Sequence, residues 1–213
     1  ARGGPAPAPE RRRALAGPAR RARGARAGDR AQGQERGGAG AATAAGVLRE
    51  RTGGRTAASA VGAPCVDLKL AHEDELRIGG LTIRALATPG HTDDSMCFVA
   101  SRGDATYLFT GDTLLVRGTG RTDFQNGSAA ALHDSITRVL FAFDDATIVL
   151  PGHDYKGFTS STIGEERRLN PRLAGKSVEE FVAIMNGLRL PKPKKLDEAV
   201  PANRSCGRVE QPS

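Results

Sequence analysis

Three stretches place side chains capable of chemistry in the same kind of position. Residues 81–88, LTIRALAT, run into Pro89-Gly90-His91. Residues 105–110, ATYLFT, run into Gly111-Asp112. Residues 146–150, ATIVL, run into Pro151-Gly152-His153-Asp154. In each, an apolar run with strand character stops at a glycine-containing turn, and an imidazole or a carboxylate follows. Loops just past strand ends are where a rigid sheet can gather a site. Neutral imidazole and carboxylate are ligands that zinc and non-haem iron accept. Two of the 4 histidines in this 213-residue chain stand in such places, and an ordinary surface-loop reading needs the coincidence three times in one domain. The other two lack that context. His72 falls in a turn and reads as solvated, and His133 falls inside a helical pattern and reads as helix surface.

The elements that must position these residues are legible from periodicity. TAAGVLRERTG (43–53) reads as a short helix closed by Gly53-Gly54. DLKLAHEDELRIGG turns at Gly79-Gly80 into LTIRALAT as a hairpin, and 96–115 gives two strands around Arg102-Gly103-Asp104. Residues 128–143 read as a helix with Ser128 as N-cap. Its Leu132, Ile136, Val139, Leu140 and Phe143 share one face. SVEEFVAIMNGL (177–188) opens with a capping box, Ser177 and Glu180, and puts Phe181, Met185 and Leu188 on one face. Strands followed by mixed helices and a further strand favour a layered α/β (α+β) domain.

Charge divides the chain at about residue 41. Residues 1–40 hold 10 Arg against Glu10, Asp29 and Glu35, which equals the whole net charge of +7 and leaves the remainder neutral. This Arg/Ala/Gly/Pro-rich segment, 1–41, has one large apolar residue, Leu15, and reads as disordered. A targeting peptide would carry serine, and a nucleic-acid arm would interleave aromatics. The monotony fits GC-rich DNA read out of frame and joined to a genuine domain at 42–210. The 3 cysteines are odd in number and lack a CxxC pair. That excludes a cysteine zinc site, argues against a disulfide framework and suggests a reducing compartment, with Cys65 and Cys97 as small buried residues. No apolar run is long enough to span a membrane, and a folded part without basic bias argues against nucleic acid.

ATPGHTDDS, LFTGDTLLVRGTGRTDFQNGS, LPGHDYKGFTSSTIGEERRLNPRL and LPKPKKLDEAVPANRSCG resemble the persulfide dioxygenase branch of the metallo-β-lactamase-fold superfamily. The resemblance implies an αββα sandwich and a mononuclear Fe(II), at which glutathione persulfide is oxidised by O2 to sulfite and glutathione. It implies His91 and Asp112 as iron ligands. His153 would stand beside the metal without binding it, and Tyr155 would line the pocket. Arg172 would bind a glutathione carboxylate, and Cys206 would sit near the substrate. Arg121 would brace the site by pairing with Asp123 or Asp154. The compartment implied is cytoplasm or mitochondrial matrix, and a homodimer is compatible with it.

One departure matters. The branch carries its first ligand in an HxHxDH motif, where this chain has QERGGAGAA (34–42), and no histidine precedes His72. One of three iron ligands is missing, so metal affinity and activity are expected to be impaired. Most of the first β-layer is missing as well, so an apolar sheet face should stand exposed. Two other readings compete. One is a glyoxalase II-like thioester hydrolase with a binuclear zinc site. The other is an inactive fragment with a basic disordered arm.

Overall fold

The computed structural model describes residues 45–62, 65–124 and 126–191. The basic segment, the 41/42 boundary and Cys206 lie outside the described residues, with the expectations attached to them. Helix α1 (Ala45–Thr52) stops where expected, the Gly53 amide donating to the Arg49 carbonyl at 2.9 Å. Strands β1 (Ala57–Ser59) and β2 (Leu68–Leu70) pair in parallel. Strands β3 (Glu75–Ile78), β4 (Leu81–Ala87), β5 (Met96–Arg102) and β6 (Ala105–Gly111) form an antiparallel meander. Its turns at Gly79-Gly80 and Gly103-Asp104 fall where the glycines put them. Beyond β6 come the short pair β7 (Leu114–Leu115) and β8 (Gly118–Thr119). Strand β9 (Ile148–Pro151) then lies parallel to β6, and β10 (Ser161–Thr162) closes that edge of the sheet.

The six strands stand in the order β10-β9-β6-β5-β4-β3, and their directions position the site. Strands β4 and β6 both run antiparallel to β5, so they point the same way, and β9 is parallel to β6. The three strands that end in Pro-Gly-His, Gly-Asp and Pro-Gly-His therefore terminate on one edge of the sheet.

Strand alternation sorts the side chains onto two faces. Leu86, Cys97, Val99, Leu108 and Val149 are buried on one face in a common cluster with helical Leu132, Ile136, Leu140, Ile163 and Phe181. Fully burying each such leucine contributes roughly 1.5–3 kcal/mol. The helices are α2 (Ala129–Asp134), α3 (Ile163–Leu169) and α4 (Val178–Asn186). Ser128 caps α2, and the Ser177–Glu180 capping box forms as expected. On the opposite face the register aligns Ala85, Phe98, Phe109 and Leu150 across four strands. Phe109 there is 45 % exposed, on the face that a second sheet of a sandwich would cover.

Three readings are corrected. The helix from 128 does not continue in α geometry. Residues 135–140 are π-helical, the Phe141 amide reaching the Ile136 carbonyl five residues back. Leu132, Ile136 and Leu140 remain buried, while Val139 and Phe143 are only partly so. His133 is not helix surface. Its ring packs 5.4 Å from Phe181, and its Nε2 is buried without a hydrogen-bond partner. Cys97 is free and buried as expected, but Cys65 is half-buried and held in a disulfide.

An orphaned buried nitrogen costs about 1–3 kcal/mol. His133→Leu is therefore expected to leave stability unchanged or raise it by about 1 kcal/mol, measured by urea unfolding. A loss above that would show that the imidazole is paired in solution.

Candidate metal centre

His91 leaves β4 through Thr88-Pro89-Gly90, a turn pinned from several directions. The Ser135 hydroxyl donates to the Pro89 carbonyl at 2.7 Å, and the Ser128 amide to the Gly90 carbonyl at 2.8 Å. The start of α2 and of the π-helical turn thus grips the loop that carries the imidazole. Asp112 follows β6, and the Gly152 amide donates to the Gly111 carbonyl at 2.8 Å. That bond ties the β9 exit, and with it His153, beside Asp112.

The three side chains meet around one carboxylate. His91 Nε2 lies 3.6 Å from Asp112 Oδ2, and His153 Nδ1 lies 2.5 Å from Asp112 Oδ1. His91 Nδ1 is 2.7 Å from the Arg121 carbonyl oxygen. A carbonyl only accepts, so Nδ1 donates there. In the neutral ring Nε2 then offers its lone pair toward the carboxylate oxygen. Two acceptors facing each other at that distance are what a cation between them would reconcile, and an imidazole held from behind by a carbonyl is the usual setting of a metal ligand. His91 and Asp112 therefore suit a metal as two of its donors. His153 spends its Nδ1–H on Asp112. Among the described residues no group of three His, Cys, Asp or Glu gathers that could hold an ion. Two donors do not complete a centre.

Of the two acids offered for Arg121, the structure pairs it with Asp123. Nε and Nη2 each donate to the Asp123 carboxylate at 2.7 Å in a bidentate pair. This pair holds the Asp123 carboxyl below the usual carboxylate range and raises the arginine. The guanidinium also lies 4.4 Å over Phe124 and donates to the Pro191 carbonyl at 2.9 Å. Asp154 plays no part in this pairing. Its carboxylate accepts from the backbone amides of Lys156, Gly157 and Phe158 and folds its own loop.

Tyr155 stacks on His153, centroids 6.1 Å apart at 12°, and is 69 % exposed. Burial, then the nearby Asp112 charge, raise its pKa above the ordinary phenol value. Arg172 donates through Nη1 to the Thr119 carbonyl at 2.8 Å and to the Thr119 hydroxyl at 3.1 Å. Among the described residues no carboxylate pairs with it, and burial alone lowers its pKa. His72 is half-exposed, as read, though its Nδ1 accepts from the Ala87 amide at 3.1 Å.

Sequence reasoning missed Thr119, Glu166 and Asn170, which support the segment between β7 and Arg121. All three fall inside stretches that carry the resemblance, but none was assigned a role, and no periodicity marks a buried glutamate.

A family profile described as the metallo-beta-lactamase superfamily matches residues 22–153, a span that begins inside the basic segment. The human protein named persulfide dioxygenase ETHE1, mitochondrial, is 45% identical over 172 residues, covering 80% of this chain and 66% of that protein. The chain thus spans just under two thirds of that relative's length. A crystal structure of ETHE1 from Myxococcus xanthus is 58% identical with a TM-score of 0.75, covering 78% of this chain and 72% of that one. A metallo-beta-lactamase structure from Staphylococcus aureus, 20% identical, has a TM-score of 0.67, covers 74% of this chain and 52% of that one, and shares the fold alone.

Proposed function

This chain belongs to the metallo-β-lactamase superfamily, and we propose that it is a persulfide dioxygenase-type protein of the ETHE1 kind, with metal binding and turnover weakened by an incomplete ligand set. The family implies a metal cofactor; ferrous iron is our choice among metals. The observation that carries the reading is the His91 Nε2 lone pair facing Asp112 Oδ2 across 3.6 Å with Nδ1 fixed by Arg121.

In this reading glutathione persulfide, dioxygen and water give glutathione, sulfite and two protons. Iron held there would supply the redox and Lewis-acid chemistry that dioxygen needs to react with a sulfur nucleophile. The rest falls to the chain's own residues. His91 and Asp112 would hold the ion. His153 donates its Nδ1 proton to Asp112 and so fixes the carboxylate plane. Tyr155 shields that imidazole on one face. Arg172 is half-buried and without an acidic partner among the described residues, so it suits the carboxylate of an anionic thiol substrate. The human relative's name places that protein in mitochondria, and a mitochondrial or cytoplasmic setting and a homodimer belong to the same proposal. No helix among the described residues is long and apolar enough to cross a membrane.

The test is metal content and oxygen uptake of the purified chain reconstituted anaerobically with Fe(II). Substoichiometric iron with slow, persulfide-dependent oxygen uptake is the expected result. Zinc retention with cleavage of a glutathione thioester would instead establish a glyoxalase II-like hydrolase. Absence of any metal would establish the inactive-fragment reading.

A further inference from the structure

Five consecutive residues between β7 and the site are each held through the backbone by a different partner. The Arg117 amide donates to Glu166 Oε2 at 2.9 Å. The Gly118 carbonyl accepts from Asn170 Nδ2 at 3.0 Å. The Thr119 carbonyl accepts from Arg172 Nη1 at 2.8 Å. The Gly120 amide donates to the Asp112 carbonyl at 2.8 Å. The Arg121 carbonyl accepts from His91 Nδ1 at 2.7 Å. Residues 117–121 therefore form a strap that starts at α3 and ends on the imidazole.

Glu166 sits at the fixed end of the strap. It is fully buried, and four donors converge on it. Oε1 accepts from the Ser161 hydroxyl at 2.6 Å and from Arg117 Nη1, and Oε2 accepts from Asn170 Nδ2 at 2.8 Å besides the Arg117 amide. Arg117 adopts a left-handed backbone, φ 54°, which a side-chain-bearing residue keeps only when its surroundings enforce it. Glu166 enforces it by binding both the amide and the guanidinium of that residue. A carboxylate that merely stapled α3 to the sheet would need one partner. This one gathers Arg117 directly and Gly118 through Asn170, two adjacent links of the strap.

We infer that Glu166 is a positioning residue for the candidate centre: it fixes the 117–121 strap and, through the Arg121 carbonyl, the tautomer and aim of the His91 imidazole. That this matters for a metal rests on the proposed function; that Glu166 sets the imidazole does not. The experiment uses the full chain without metal. Long-range proton–nitrogen NMR of His91 at fixed pH and urea unfolding are recorded for wild type, Glu166→Gln, Ser161→Ala and Asp145→Asn. The last is a control that loosens α3 at its contacts with Arg167 and Arg168 but leaves the strap alone. Wild-type His91 is expected as the Nδ1–H tautomer. Glu166→Gln shifts it toward a mixture, Ser161→Ala shifts it less in the same sense, and Asp145→Asn leaves it unchanged. A Co(II) titration is expected to show about tenfold weaker binding in Glu166→Gln. The inference is overturned if His91 is unmoved in folded Glu166→Gln, or if Asp145→Asn moves it equally at matched stability. Should Glu166→Gln fail to fold, Ser161→Ala against Asp145→Asn decides by the same outcomes. A wild-type chain that binds no Co(II) removes the proposed function while the tautomer result still decides the role of Glu166.

Discussion

Gly120→Ala is expected to lower metal affinity about 100-fold while leaving most of the sheet intact. A Cβ at this position would stand 2.1 Å from the Asp112 carbonyl oxygen and 2.9 Å from His91 Nδ1. Both contacts are far inside van der Waals range, and neither neighbour is the free end of a flexible side chain. The backbone must withdraw, and it carries the Arg121 carbonyl away from the imidazole as it moves. His91 loses its orienting partner at the moment Asp112 is displaced, so both candidate donors are spoiled by one methyl group. Co(II) titration followed by visible absorbance, beside circular dichroism to show retained strand content, reads the effect. Unchanged affinity in a folded variant would remove His91 and Asp112 as a donor pair.

Gly90→Ala is expected to destroy the fold. Its Cβ would fall 2.3 Å from the Leu132 Cα and 2.4 Å from the Leu132 nitrogen, against the spine of a helix. The residue also has φ 144°, a backbone region that side-chain-bearing residues rarely enter. Relief requires α2 to move off the sheet, and Leu132 is fully buried in the common core. Overpacking and backbone strain together exceed about 4 kcal/mol, a large part of the 5–15 kcal/mol that ordinarily holds a domain. Loss of cooperative thermal unfolding, with most of the protein insoluble, is the expected outcome. Gly80→Ala serves as the control. Nothing lies within 4 Å of its Cβ, and stability should change by less than about 1 kcal/mol. Gly90→Ala that unfolds cooperatively within 1 kcal/mol of wild type would show that α2 does not pack against the site loop as described.

How far the sequence could be read depended on whether the decisive contact was local. The meander was legible because each turn carries its own glycine and each strand its own apolar run. The convergence of three strand ends followed once β9 was placed parallel to β6. The capping box of α4 needs only four residues and was read directly. His133 was misread because α4, which covers the ring, comes some 50 residues later in the chain. Glu166 was invisible for a related reason. A glutamate among Glu165, Arg167 and Arg168 looks like solvated helix surface. Its burial comes from Arg117, 49 residues away, and no local pattern encodes that. Asp123 and Asp154 were both offered as partners for Arg121, and the structure settles on the i+2 neighbour, where a bidentate fork closes over a short loop.

The sheet order also dictates when the site can exist during folding. Strands β3 to β6 are joined by two-residue turns or a short loop and can zip together early, since closing small loops costs little entropy. Strand β9 arrives only after a crossover containing α2 and the π-helical turn, and it pairs parallel to β6. Long-range parallel pairing of this kind is slow. The meeting of His153 with Asp112 is therefore among the last events of the folding reaction, and a chain caught before it would hold a nearly complete meander with the edge that carries the candidate site still unmade.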